Sequence, residues 1–188
     1  MRYTSACHTC PVLVSCDVAN TSARVARTQL GEGAVWDSAN NVLLWVDIIK
    51  GKIFSTTADG KCTQYCDTRQ MIGTVVPHTK ECVVAATHRG ICIVNRTSGR
   101  IERFLGNPEA ELPENGWNDG KCDASGRLWV GSKNLFCDRP SGALWCLNGK
   151  GEWTRHVSDV GVSNGLVWTK DQKTFLYIDS PTRRIDAF

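Results

Sequence analysis

The sequence predicts an all-β fold, a β-propeller, on three observations. Short segments rich in β-branched and aromatic residues recur along it between Gly, Asn, Asp and Ser turns. No window carries the i, i+3, i+4, i+7 apolar stripe of a helix. A repeat of about 44 residues, with roughly four short strands per unit, runs through the chain.

Residues 1–29 read as an N-terminal tail that includes a candidate closing strand. Residues 30–188 read as an incomplete propeller. Within it the expected strands include Val42–Ile48, Glu81–Thr87, Gly90–Asn95, Arg127–Gly131, Ala143–Leu147, Thr174–Asp179 and Arg184–Phe188. Three segments align: Gly31 to Asp47, Asn118 to Gly131 and Ser163 to Asp179. Each has a polar residue, then Gly, a short strand, a tight turn and a strand carrying an aromatic residue (Trp45, Trp129, Tyr177). The aligned glycines, Gly33, Gly120 and Gly165, are 87 and 45 residues apart. A weaker copy beginning at Val75 fills the gap, so four units start in this chain. A propeller typically needs four to eight blades to protect its sheet edges. The expectation is therefore a fragment of a larger ring.

In a propeller the first strand of each blade lines the central channel. One repeat position then supplies one axial level. The position before the aligned glycines holds Glu32, Asp119 and Asn164, with Asn118 beside Asp119. A ring of carboxylate and amide oxygens suits a hard divalent cation, Ca²⁺ or Mg²⁺, and Zn²⁺ or Mn²⁺ would tolerate it. Asp-Gly and Asn-Gly are also ordinary turn sequences, but Glu between two glycines is not. Trp117, adjacent to Asn118, is a candidate pocket wall, and the other tryptophans read as blade core. His78, His88 and His156 form no pair at metal-binding spacing and read as loop or channel-lining residues.

Composition narrows the function classes. Of 188 residues, 41% are hydrophobic and 22% charged, with a net charge of +3, too small to imply nucleic acid or an anionic membrane. No apolar run is long enough to span a bilayer. The first thirty residues hold no signal-peptide apolar stretch, so a cytoplasmic location is expected. Six of the ten cysteines (Cys62, Cys82, Cys92, Cys122, Cys137, Cys146) sit in or beside apolar strands, as buried reduced thiols do. Cys7 and Cys10 have CxxC spacing but no second pair, and read as a chance pair. Oligomeric state has no signal.

The motifs Leu30-Gly-Glu-Gly-Ala-Val-Trp-Asp37, Asn118-Asp-Gly-Lys-Cys-Asp-Ala-Ser-Gly-Arg-Leu-Trp-Val-Gly-Ser132 and Ser163-Asn-Gly-Leu-Val-Trp168 with Tyr177-Ile-Asp-Ser180 resemble the regucalcin (senescence marker protein), gluconolactonase and luciferin-regenerating family. The resemblance covers Leu30 to Phe188. It implies a six-bladed propeller, of which about four blades are here, and a metal-dependent hydrolase that opens sugar lactones. It implies Glu32 and Asn164 as metal ligands and Asn118 as a substrate contact, with Asp119 and Trp117 as supporting residues. The implied acid/base Asp would fall about one repeat after Asn164, beyond Phe188. Two positions depart from the pattern. Gly116 stands where substrate-binding members have Arg, and the loop Gly131-Ser-Lys-Asn-Leu-Phe-Cys137 lacks an acidic residue. These departures keep two alternatives open: a non-catalytic calcium- or metal-binding regulator, and an interaction propeller.

Overall fold

The structure is a computed structural model that describes residues 27–188. Cys7, Cys10 and nearly all of the expected N-terminal tail lie outside the described residues. Blade I comprises β1 (Gly31–Asp37), β2 (Val42–Asp47), β3 (Lys52–Thr57) and β4 (Cys62–Asp67). Blade II comprises β5 (Ile72–Pro77), β6 (Cys82–Thr87), β7 (Gly90–Asn95) and β8 (Ile101–Gly106). Blade III comprises β9 (Asn115–Cys122), β10 (Leu128–Asn134), β11 (Gly142–Leu147) and β12 (Trp153–Val160). Blade IV holds β13 (Ser163–Trp168), β14 (Phe175–Asp179) and β15 (Asp186–Ala187). Every blade is an up-and-down antiparallel meander.

The expected strands appear with small shifts at their ends. The exception is the last. Arg184–Phe188 was expected as a strand, but only Asp186–Ala187 is one. A 3₁₀ turn at Ser180–Thr182, containing Pro181 and closed by Arg183 in the left-handed region, precedes it. Phe188 still exchanges both backbone hydrogen bonds with Phe175 at 2.9 Å.

Strand residues alternate between faces. An inner blade must therefore be apolar on both. β6 meets this with a continuous buried run. Val83 and Ala85 join Leu44, Val46, Ile53 and Val75 in a cluster between blades I and II. Val84 and Ala86 join Trp117, Val130 and Ile91 between blades II and III. A third cluster, with Leu144, Val160, Leu166, Phe175 and Tyr177, joins blades III and IV. Each fully buried Val or Leu contributes about 1.5–3 kcal/mol relative to exposure. A buried ion pair between Asp37 and Arg96 ties blade I to blade II. Burial works to raise the Asp37 carboxyl, but bonds from Asn40 and the Arg96 guanidinium hold it below the usual range.

Not every tryptophan is core. Trp36 is 48% exposed, because no blade covers its side of β1 among the described residues. Val167, Ile185 and Phe188 are likewise exposed on blade IV. The seven described cysteines are free. Burial pushes the Cys66 and Cys122 thiols up to about 11 and Cys92 to about 12, so these three are not thiolates near neutral pH.

The innermost strands pack side by side: β1 on β5, β5 on β9, β9 on β13. Gly73 in β5 permits the tightest of these contacts. A Cβ there would stand 2.3 Å from the Trp117 carbonyl oxygen and 2.4 Å from that of Asn118. Both obstacles are backbone, so neither can rotate away. Gly73→Ala is expected to cost about 2 kcal/mol or more and lower the thermal midpoint by at least ~4 °C. Gly149→Ala, where a Cβ meets nothing within 4 Å, should melt within a degree or so of the parent. Calorimetry of both variants checks this.

Candidate functional site on the propeller axis

Strand pairing locates the axial level. Gly31↔Asp47, Ile72↔Thr87, Trp117↔Ser132 and Ser163↔Asp179 are equivalent ladder pairs. Each inner strand then breaks register within the next residues. The residues that follow the pairs are Glu32, Gly73, Asn118 and Asn164. Matching glycines in the sequence put Asp119 level with Glu32 and Asn164. The ladder instead puts Asn118 there, with Asp119 in the bulge beside it. The glycine match fails because blade III has one residue fewer between its Gly and the turn aspartate: Gly120 to Asp123 against Gly33 to Asp37. The weak copy thought to begin at Val75 has Gly73 at this level, so blade II contributes no side chain.

Glu32, Asn118, Asp119 and Asn164 line one recess together with Gly33, Ile48 and Gly73. Its free volume is about 10 Å³, roughly one water-sized sphere. Trp117 does not line it. Trp117 is buried in the cluster between blades II and III, stacked on Trp153 at 6.2 Å.

The two amides are held from outside the recess. Asn118 is buried and donates from Nδ2 to the Ser163 carbonyl at 2.7 Å. Ser163 is in turn fixed by the Tyr177 hydroxyl, which donates to its Oγ at 2.9 Å. Asn164 donates from Nδ2 to Ser180 Oγ at 3.1 Å. Each amide nitrogen thus has a protein acceptor, which leaves the side-chain oxygens to serve a ligand. Asp119 accepts from the Gly120 N–H at 2.8 Å.

The carboxylates are uncomfortable without a counter-ion. Glu32 is exposed as a residue, yet partial desolvation at the recess raises its carboxyl above the usual range and the Asp119 charge raises it further. The Gly33 N–H and Lys133 pull against this rise. Burial also raises Asp119, against the Gly120 and Gly165 N–H groups and Lys121. Two mutually repelling carboxylates beside two free amide oxygens form an oxygen donor set that fits a hard divalent cation. No cluster of three or more His, Cys, Asp or Glu exists among the described residues, so a cation here would depend on the amides.

The inner strands are anchored by residues that sequence reading passed over. Asp47 accepts from the Gln29 and Leu30 N–H groups at 2.8 and 3.3 Å, and Asp179 accepts from Gly161 and Val162 at 3.0 and 2.7 Å. The signal was present: both end a strand in the same repeat position. In blade III buried Glu109 takes the anchoring role through Asn115, Ser132 and Trp145, and nothing in the sequence marks it. A second recess of about 260 Å³ opens beside the start of β9, with Trp117, Gly116 and Glu109 in its wall.

Residues 30–188 match the family model described as SMP-30/gluconolactonase/LRE-like region. The chain is 31% identical to regucalcin of Danio rerio over 164 residues, covering 86% of this chain and 55% of that protein. It is 27% identical over 159 residues to a Bacillus subtilis protein provisionally named a sugar lactone lactonase, covering 85% and 54%. A solved luciferin-regenerating enzyme superposes with a TM-score of 0.79 at 28% identity, covering 87% of this chain and 56% of its own. An Agrobacterium tumefaciens regucalcin, described as a calcium-binding protein, shares the fold at a TM-score of 0.79 and 23% identity, covering 86% and 54%. The chain spans about half the length of the curated relatives it matches.

A raised carboxyl favours the folded state while protonated, and that stability is lost as pH rises through the raised value. Metal-free protein should therefore lose stability as pH climbs above the ordinary 3.8–4.5 range of Asp119 and Glu32. With chelator at neutral pH, Asp119→Asn should melt a few degrees higher than the parent. The difference should vanish as pH falls into that range. With divalent cation present the order should reverse, because the variant binds it about tenfold more weakly. Melting curves with and without chelator across pH check both signs.

Proposed function

This chain belongs to the SMP-30/gluconolactonase/LRE-like family, and we propose that the protein is a metal-dependent hydrolase that opens sugar lactones. A six-bladed ring, with the four blades described above as its first, and residues 1–29 as tail and closing strand, belong to the same proposal. The observation that carries it is the convergence of Glu32, Asn118, Asp119 and Asn164, from three blades, on one recess.

In this reading Glu32 and Asn164 hold the cation. A hard cation, Ca²⁺ first, suits the all-oxygen set; Zn²⁺, Mg²⁺ and Mn²⁺ are the comparisons. When bound, such a cation supplies Lewis acidity toward a lactone carbonyl and positive charge for the oxyanion. Glu32 brings neutralising charge, and Asn164 a neutral oxygen. Asn118, clamped through Ser163 and Tyr177, orients the substrate ring. Asp119 sits on the Gly120 N–H, which fixes the strand at its closest approach to the axis. No residue described here is assigned the proton transfer that the family resemblance gives to an acid/base Asp.

A second reading, a cation-binding regulator without turnover, draws on one observation. Where a substrate-binding Arg is expected, Gly116 faces Leu135, whose Cδ2 would stand 2.6 Å from a Cβ at that position.

D-gluconolactone opening, followed with and without chelator, separates the readings. The proposed function expects chelation to abolish turnover and added cation to restore it. Glu32→Gln should then weaken cation binding and lower kcat/KM by about 100-fold or more. Turnover that ignores chelator would overturn the proposal, and cation binding without turnover would select the regulator.

A further inference from the structure

The recess of about 260 Å³ beside the start of β9 shares no lining residue with the axial recess. It lies between the β6–β7 turn of blade II and the link from β8 to β9. Both walls are held by their own hydrogen bonds. In the link, Asn107 Oδ1 accepts from the Glu109 N–H at 3.0 Å. The Leu112 N–H then donates to the Glu109 carbonyl, and the Asn115 N–H to the Leu112 carbonyl, both at 2.9 Å. Pro113 stiffens the same stretch. Opposite, the His88 N–H donates to the Met71 carbonyl at 2.8 Å and the Arg89 N–H to Gln70 Oε1 at 3.0 Å. A hollow with walls already fixed needs little ordering when a ligand enters. Its volume is that of about nine waters, near the lower end for small-molecule sites.

Three features of the wall specify a ligand. The first is an orphaned polar atom. His88 lines the recess half-buried, and its Nδ1 is buried without a hydrogen-bond partner. That nitrogen lies 4.0 Å from where a Cβ on Gly116 would stand, so Gly116 leaves room beside it. A polar nitrogen in this state is costly until something pairs with it. The second is charge. Arg89 is exposed and forms no ion pair among the described residues. Glu109, the one carboxylate in the wall, is buried and already accepts from Asn115 Nδ2 at 2.9 Å, Ser132 Oγ at 2.7 Å and Trp145 Nε1 at 2.8 Å. Its neighbour Glu114 is paired with Arg139 at 2.8 Å. The uncommitted charge is therefore positive. The third is apolar surface. Leu112 and Pro113 line the recess and are exposed to water, so a ligand that covers them gains by it.

We propose that this recess is a second binding site, off the propeller axis, for a small carboxylic acid with an apolar body, bound as its carboxylate. The carboxylate pairs with the Arg89 guanidinium, whose planar fork matches two oxygens. His88 Nδ1, carrying the imidazole proton, donates to the same group. The apolar body covers Leu112 and Pro113. A ligand cation is disfavoured, because Arg89 repels it and Glu109 is already engaged. The inference goes beyond the lactone-hydrolase reading and does not depend on it, since neither its residues nor its test involves the axial oxygens.

Benzoate probes the site, with benzamide as its neutral counterpart of the same shape. Calorimetry should show benzoate bound about tenfold or more tightly than benzamide, with one Kd in Ca²⁺ and in chelator. Arg89→Met, at an exposed position, should weaken benzoate about tenfold and leave benzamide unchanged. His88→Phe keeps the bulk of the ring and removes Nδ1, and should weaken benzoate about fivefold. Nuclear Overhauser contacts should join the benzoate ring to the Leu112 methyl groups. Benzoate binding that vanishes in chelator would put the carboxylate on an axial cation and overturn the inference. Equal affinity for benzoate and benzamide would overturn it too, as would benzoate affinity unchanged in either variant or no benzoate binding at millimolar concentration. A protein that opens no lactone loses the hydrolase reading and leaves every one of these measurements in force.

Discussion

Backbone proximity at the inner strand of blade II governs how near the blades come to one axis. Gly73 lets the carbonyls of Trp117 and Asn118 approach to where a side chain would otherwise lie. The neighbouring contacts have the same character. A Cβ on Gly33 would meet Thr74, and one on Gly120 would meet Thr74, Val130 and the Trp129 carbonyl. Thr74 itself donates to the Gly120 carbonyl at 3.3 Å. With the strands this close, side chains from β1, β9 and β13 reach one recess of about 10 Å³. Had blade II carried a side chain at that level, the recess would be filled and the strands spread. The blade that gives nothing to the site chemically is the one that lets it form.

Proximity imposes an electrostatic cost. Desolvation raises both carboxyls, and the Asp119 charge raises Glu32 further, while the stabilising contacts lie outside the recess: Asn118 to Ser163, Tyr177 to Ser163, Asn164 to Ser180. A binding site that leaves its own ligand oxygens free and its charges unpaired trades fold stability for ligand affinity. The strain is affordable because the three inter-blade clusters are apolar throughout. Asp47, Asp179 and Glu109 fix the inner strands from behind by receiving backbone and side-chain donors.

Much of this was legible in the sequence. The period exposed the meander, and β-branched and aromatic runs such as Glu81 to Thr87 marked its strands. Glu32 and Asn164 were legible as a shared level because each precedes a glycine that stands four residues before the turn, at Asp37 and Thr169. Asn118 was legible only as the neighbour of that level. A single missing residue before Asp123 shifts the glycine by one, and glycine matching then selects Asp119. The blade II copy was found late in its strand, since Gly73 carries no polar marker. Trp36 was misjudged because its burial depends on what lies beside β1, which local pattern does not encode.

The sequence by itself determined the strand content, the repeat, the blade order and the family, because each is written in local periodicity and short motifs. Only the tertiary structure decided which residue of blade III stands level with Glu32. Ladder register depends on a bulge, and a bulge is a property of two strands rather than one. It also decided that Asn118 and Asn164 turn their nitrogens to protein acceptors, that Trp117 packs between blades rather than on the axis, and that Leu135 occupies the space left by Gly116. Each of these depends on residues from separate strands meeting across a blade or a blade boundary, and separations of that length leave no local mark in the chain.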